Sequence, residues 1–174
     1  PETIVIPIEE FVAPPPENSH QICWQGGRPG PWKAPRGAAT YQLPILMYHR
    51  VAPEGSQSLS PYRVTPEAFE EQIRYLHDAG YYTIGPDQWF KAVTNRKPLP
   101  GNAIMITFDD GYVDFQTHAW PILKECGFSA LVFLVSGHVG GENLWEGQGE
   151  ERIPLLGWDA IRALRDDGVE FGSH

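Results

Sequence analysis

Residues 105–114 read MITFDDGYVD, an apolar stretch that runs straight into two adjacent aspartates and a glycine. Two like charges side by side raise each other's pKa, and each resists desolvation at the end of a buried strand. Asp109 and Asp110 therefore ask for a cation. Histidines follow other apolar runs in the same way: His49 after LMY, His138 after LVFLVSG, and His174 after VEFGS. Carboxylates and imidazoles together are the ligands of zinc and related divalent ions, and such an ion would remove the repulsion between the aspartates. Adjacent residues on a strand project oppositely, so both aspartates can serve one site only where the strand breaks, and Gly111 permits that break.

The elements that must position these residues alternate between two periodicities. LPILMYH reads as a strand, and TPEAFEEQIRYLHDAGY as a helix with Thr65 as its N-cap and Pro66 at its first position. Phe69, Ile73 and Leu76 share one face of it, and Gly80 stops it. A second strand, YYTIG, leads to a weaker helix over residues 87–93. NAIMITF is then a continuous apolar run of the kind buried on both faces. A helix over about residues 115–126, broken or started by Pro121, precedes the buried strand SALVFLV. After a glycine-rich loop, WDAIRALRDDG is a helix with Trp158, Ile161 and Leu164 inward, and VEFGS opens one more strand. This βαβαβαβαβ order with short connections predicts an α/β fold, a parallel sheet with outer helices. In such folds chemistry gathers at the carboxyl ends of the strands, which brings two carboxylates and up to three imidazoles to one rim.

Composition narrows the partners. The 174 residues are 41% hydrophobic and 12% aromatic, enough for the core of one globular domain. A net charge of −9, with 13 Lys and Arg that form no cluster, argues against nucleic acid or an anionic membrane surface. The substrate is expected to be neutral or cationic. No run approaches the roughly 20 apolar residues of a transmembrane segment, and a chain beginning at Pro1 carries no information on export. Residues 1–44 hold nine of the 17 prolines, so 1–42 read as an extended Pro/Gly-rich lead-in, and Trp24 and Trp32 suggest that part of it lies against the domain. Cys126 reads as a small buried hydrophobe in preference to a bridge to Cys23.

TFDDGY resembles the first motif of the NodB-type polysaccharide deacetylases, carbohydrate esterase family four, and FGSH about 65 residues later resembles the opening of the second. LMYHRV and LGWDAIRALRDDGVEFGSH are also similar to that family, especially to its branch acting on poly-N-acetylglucosamine. The resemblance spans residues 43–174 and implies a partial (β/α) barrel of NodB type. It implies that Asp109 is the general base, that Asp110 and His174 are metal ligands, and that His49, Tyr112 and His138 stand at the substrate rim. The implied reaction is hydrolysis of N-acetyl, or O-acetyl, groups on an extracytoplasmic polysaccharide by a metal-activated water, with zinc expected and cobalt, nickel or iron admissible.

Family features beyond position 174 are the second metal histidine, the arginine and aspartate-tryptophan motifs, and the general acid. A closed barrel of this type needs on the order of 200 residues or more, so 43–174 read as the N-terminal portion of a domain completed by a continuation or a second chain, with little activity alone. A non-catalytic carbohydrate-binding remnant is the alternative. Each residue has a plainer reading as well. His49 can be a core histidine, His138 a loop histidine, and His20, His77 and His118 solvated ones. Trp145 and Trp158 can stack on a sugar, although packing in the core is the commoner fate of such residues.

Overall fold

A buried central strand organises the chain. The computed structural model describes residues 43–97, 99, 101–147 and 150–174; the lead-in with Cys23, Trp24 and Trp32 lies outside the described residues. The strands are β1 (Ile45–Tyr48), β2 (Arg50–Val51), β3 (Arg63–Val64), β4 (Tyr82–Thr83), β5 (Ala103–Phe108), β6 (Leu131–Leu134) and β7 (Glu170–Ser173). The helices are α1 (Pro66–Asp78), α2 (Pro86–Thr94), α3 (Trp120–Glu125) and α4 (Trp158–Asp166). The main sheet runs β1-β5-β6-β7 with β4 also joined to β5, and every pairing is parallel. Among the described residues it does not close into a barrel. A separate parallel pair, β2 with β3, lies in the loop after β1.

All six residues of β5 are buried, as its unbroken apolar sequence requires of a strand covered on both faces. Ile104, Ile106 and Phe108 enter the main core with Phe69, Ile73 and Leu76 of α1, Leu123 of α3, and Ile161 and Leu164 of α4. Ala103 and Met105 enter a second cluster with Leu43, Ile84 and Leu131, against which Trp89 of α2 packs. Phe108 stacks on Tyr48 at 5.3 Å and meets Phe115 edge-on at 4.7 Å. Each such ring stabilises the fold by about 1.5–3 kcal/mol through burial, so the end of β5 is anchored immediately below the aspartates.

Local signals set the helix ends. The Thr65 hydroxyl accepts from Ala68 N at 3.2 Å and caps α1, Pro66 occupies its first position, and Gly80 at φ +77° ends it. The segment predicted as one helix over 115–126 is divided: a π-helical turn covers Phe115–Ala119, and α3 proper starts at Trp120 with Pro121 in its first turn. Trp158 is a correction to the sequence reading. It is the first residue of α4 and 57% exposed, because Cα–Cβ bonds tilt toward a helix N-terminus and carry its indole past the helix start instead of onto the sheet. Cys126 is half-buried against the main core. No helix among the described residues is long and apolar enough to cross a membrane.

Candidate active site at the strand ends

The site is built where β5 stops. Asp109 N still donates to Tyr48 O of β1 at 2.9 Å, but Gly111 N turns back to Asp109 O, and Asp110 and Gly111 take φ of +70° and +71°. Two successive left-handed residues break the alternation that would have sent the aspartates to opposite faces. Space as well as torsion requires glycine at 111, since a Cβ there would lie 2.6 Å from Leu134 Cδ2. Register supplies the other members. Tyr48 is level with Phe108 on one side, and Leu134 is level with Ser173 on the other, so His49 and His174 leave the sheet beside the turn. His174 N donates to Leu134 O at 2.7 Å.

The side chains then converge. His174 Nε2 lies 3.6 Å from Asp110 Oδ1 and 3.8 Å from Asp109 Oδ2, and His49 Nε2 lies 3.9 Å from the same Asp109 oxygen. Burial pushes the Asp110 carboxyl up; His49 and then His174 oppose the shift, and the charge on Asp109 adds to it. The pKa of Tyr112, beside Asp110 in the cleft wall, is raised by burial and then by the charges of Asp110 and Glu146. His138 does not join the carboxylates: its ring meets Trp145 edge-on at 5.6 Å.

Two donors to one ion at 2.0–2.2 Å in tetrahedral geometry lie roughly 3.3–3.6 Å apart. The Asp110–His174 separation of 3.6 Å meets that requirement, so these two residues fit one edge of a divalent-ion site. Among the described residues, no three such donors gather into one shell.

A cleft of about 250 Å³ opens beside the aspartates, lined by His49, Arg50, Leu59, Tyr62, Asp110, Tyr112, Trp145 and Glu146. Sequence reasoning missed Arg50, Asp114, Tyr62 and Glu146 as contributors. Arg50 is 6% exposed; its Nε donates to Asp114 Oδ2 at 2.8 Å, and its guanidinium sits 5.5 Å from the Tyr112 ring centre. Burial pushes the Asp114 carboxyl up against the pull of Arg50. The pair clamps β2 to the segment after the aspartates. Its readable signal was one charge inside each apolar motif, MYHRV and GYVDF.

The comparisons agree with this architecture. Residues 96–174 match a family profile described as polysaccharide deacetylase. A Bacillus subtilis (strain 168) protein, YxkH, provisionally named a polysaccharide deacetylase, is 37% identical over 133 residues, covering 76% of this chain and 42% of the relative. A Staphylococcus aureus poly-beta-1,6-N-acetyl-D-glucosamine N-deacetylase is 32% identical over 143 residues, 74% of this chain and 46% of the relative. Among solved structures, IcaB from Ammonifex degensii superposes with a TM-score of 0.61 at 29% identity, covering 75% of this chain and 51% of that one. The Streptococcus pyogenes deacetylase PplD superposes at 0.60 with 27% identity, covering 76% and 55%. The chain is thus similar in sequence and fold to the polysaccharide deacetylases, with a parallel α/β fold of the NodB type. Its relatives within that class include poly-N-acetylglucosamine deacetylases, and it spans less than half the length of the two curated relatives named.

Proposed function

We propose that residues 43–174 are the N-terminal portion of a hydrolase domain that removes N-acetyl groups from a cell-envelope or exported polysaccharide, outside the cytoplasm. The observation that carries this reading is the approach of His174 to both Asp109 and Asp110, and of His49 to Asp109, each within 4 Å, at the carboxyl ends of parallel strands beside a cleft with aromatic walls. Asp110 and His174 are the residues that would hold a divalent cation. Zinc suits an Asp and His donor set best, and cobalt, nickel and iron accept the same ligands. Such an ion, when bound, supplies a Lewis acid that polarises the acetamide carbonyl.

The chain's own residues do the rest. Asp109 is the base that takes a proton from the attacking water as its oxygen bonds to the acetyl carbon. Cleavage of the carbon–nitrogen bond then releases acetate and leaves a sugar amine, which takes up a proton. His49, 3.9 Å from Asp109 and with its ring 5.1 Å from that of Tyr62, orients the base and forms one wall of the cleft. Tyr112 restrains Asp110, and the cleft admits the acetylated sugar.

The test is to compare two variants of the whole protein for acetate release from an N-acetylglucosamine oligomer and for zinc content by elemental analysis. Asp109→Asn is expected to lose at least about 10³-fold in turnover while keeping its zinc. Asp110→Asn is expected to lose zinc and turnover together. Equal zinc loss in both variants would refute the division of roles.

A further inference from the structure

The loop between β6 and α4 contributes to the cleft two side chains that the deacetylation chemistry above does not use. Asn143, fully buried, fastens it: its amide oxygen accepts from Ile153 N at 2.8 Å, its amide nitrogen donates to Glu151 O at 3.0 Å, and its backbone oxygen accepts from Arg152 at 3.2 Å. Bridges Glu142 to Pro154 and Tyr112 to Leu155 tie the same loop down, the second directly onto the segment after the aspartates. Thus fixed, it places Trp145 and Glu146 in the cleft wall. The Trp145 ring is 41% exposed, braced by His138 at 5.6 Å and by Tyr112 at 6.3 Å.

Glu146 lines the same cleft as Tyr112, and among the described residues no lysine, arginine or histidine nitrogen lies within 4 Å of its carboxylate. Arg50, the cation on the cleft wall, gives its Nε to Asp114 and holds its Nη1 3.8 Å from Glu151, a nitrogen that makes no hydrogen bond among the described residues. A divalent ion between Asp110 and His174 would offset Asp109 and Asp110 and leave Glu146 uncompensated. An aromatic face next to an unpaired carboxylate in a cleft suits a ring that carries an ammonium group.

We propose that Glu146 and Trp145 form a subsite for a free amino sugar, a protonated 2-amino-2-deoxyhexose, adjoining the acetylated residue, so that the cleft favours chains already partly deacetylated. This rests on the deacetylase reading of the neighbouring site. It makes the product of one cleavage a better ligand for the next, whereas a uniformly acetylated or an acidic polysaccharide gains nothing from Glu146.

The experiment titrates the whole zinc-loaded protein carrying Asp109→Asn, which keeps the ligands from being cleaved, by calorimetry with two β-1,6-linked N-acetylglucosamine oligomers of equal length, one fully acetylated and one with a single free amine. The amine-bearing oligomer is expected to bind roughly two- to five-fold more tightly, the range for one ion pair at a partly exposed site. Glu146→Gln should bring the ratio to about one, Glu146→Asp should retain part of it, and near-ultraviolet dichroism should stay unchanged in both. A ratio of one with Glu146 in place, or a ratio that survives Glu146→Gln, overturns the subsite. Acetate release measured with Asp109 restored separates the two readings: turnover without amine preference removes only the subsite, and a Glu146-dependent preference without turnover removes only the deacetylase.

Discussion

Strands β5 and β7 both end at the site, but they hold their ends by different means. β5 is paired with β1 on Met105–Phe108, with β4 on its first two residues and with β6 on its last two, and all its side chains are buried. β7 pairs with β6 among the described strands, and its residues are half-buried or exposed. The consequence shows in the site itself: the Asp109 and Asp110 side chains are 17% and 14% exposed, the His174 side chain 47%. The carboxylates are placed by the core, whereas the imidazole is placed by one backbone ladder. Preorganisation is therefore uneven, firm at the aspartates and looser at the histidine.

The contrast can be tested first in the strands. Phe108→Ala removes a fully buried ring that stacks on Tyr48 and meets Phe115 edge-on and should cost about 3–5 kcal/mol in urea unfolding, whereas Phe171→Ala in half-buried β7 should cost about 1–2. Equal losses would show that β7 is anchored as deeply as β5. Gly111→Ala combines a positive φ with a Cβ 2.6 Å from Leu134, the residue of β6 to which His174 is bonded; about 1–3 kcal/mol is expected. Because both halves of the site meet at that point, zinc affinity should fall in the same variant, and unchanged affinity would separate the turn from the histidine. His174→Ala should move stability by no more than about 0.5 kcal/mol, since the ring is exposed, while weakening zinc binding at least about ten-fold in titration.

The smallest effect lies in the connection that feeds β7. Asp167, in the turn after α4, accepts from Lys124 Nζ at 2.6 Å and from Trp120 Nε1 at 2.7 Å, and these bonds, the lysine's first, hold its carboxyl below the usual range. A carboxyl lowered in the folded state contributes stability above its unfolded pKa and loses it as pH falls through the folded value. Unfolding midpoints should therefore decline slightly more on acidification in the parent protein than in Asp167→Asn. Matching pH profiles would show that this clasp adds nothing to the β7 side.

How much of this was legible in the sequence depends on whether a feature was local. The apolar run of β5, the Thr65 cap and the aspartate pair with its glycine are each set by neighbours within a few positions, and the structure has them where the residues imply. The parallel α/β class followed from the alternation of these elements. Trp158 was misread because helical periodicity ignores the direction of side chains in the first turn. The wall of the cleft was legible only in part: His49, Tyr112 and Trp145 stood out by residue type, whereas Asn143 and Glu146 lie in a stretch without periodicity, held by the bridge of Glu142 to Pro154 and the bond from Ile153 N to Asn143. Arg50 and Asp114 become partners only when β2 meets the segment after β5, a pairing 64 positions apart.

The position of β6 has a consequence for the order in which the protein acquires competence. Asp110 and His174 share no direct strand pairing; each is brought to the other through Leu131–Leu134, which must dock on Thr107 and Phe108 and then receive β7. Contacts of such long sequence separation close slowly, because loop entropy is lost before they form. In a refolding experiment, amide protection along β5 is thus expected to precede the ability to capture a metal ion. The two-donor edge becomes a clock that registers only the last step of assembly, and its signal should lag every spectroscopic marker of the core.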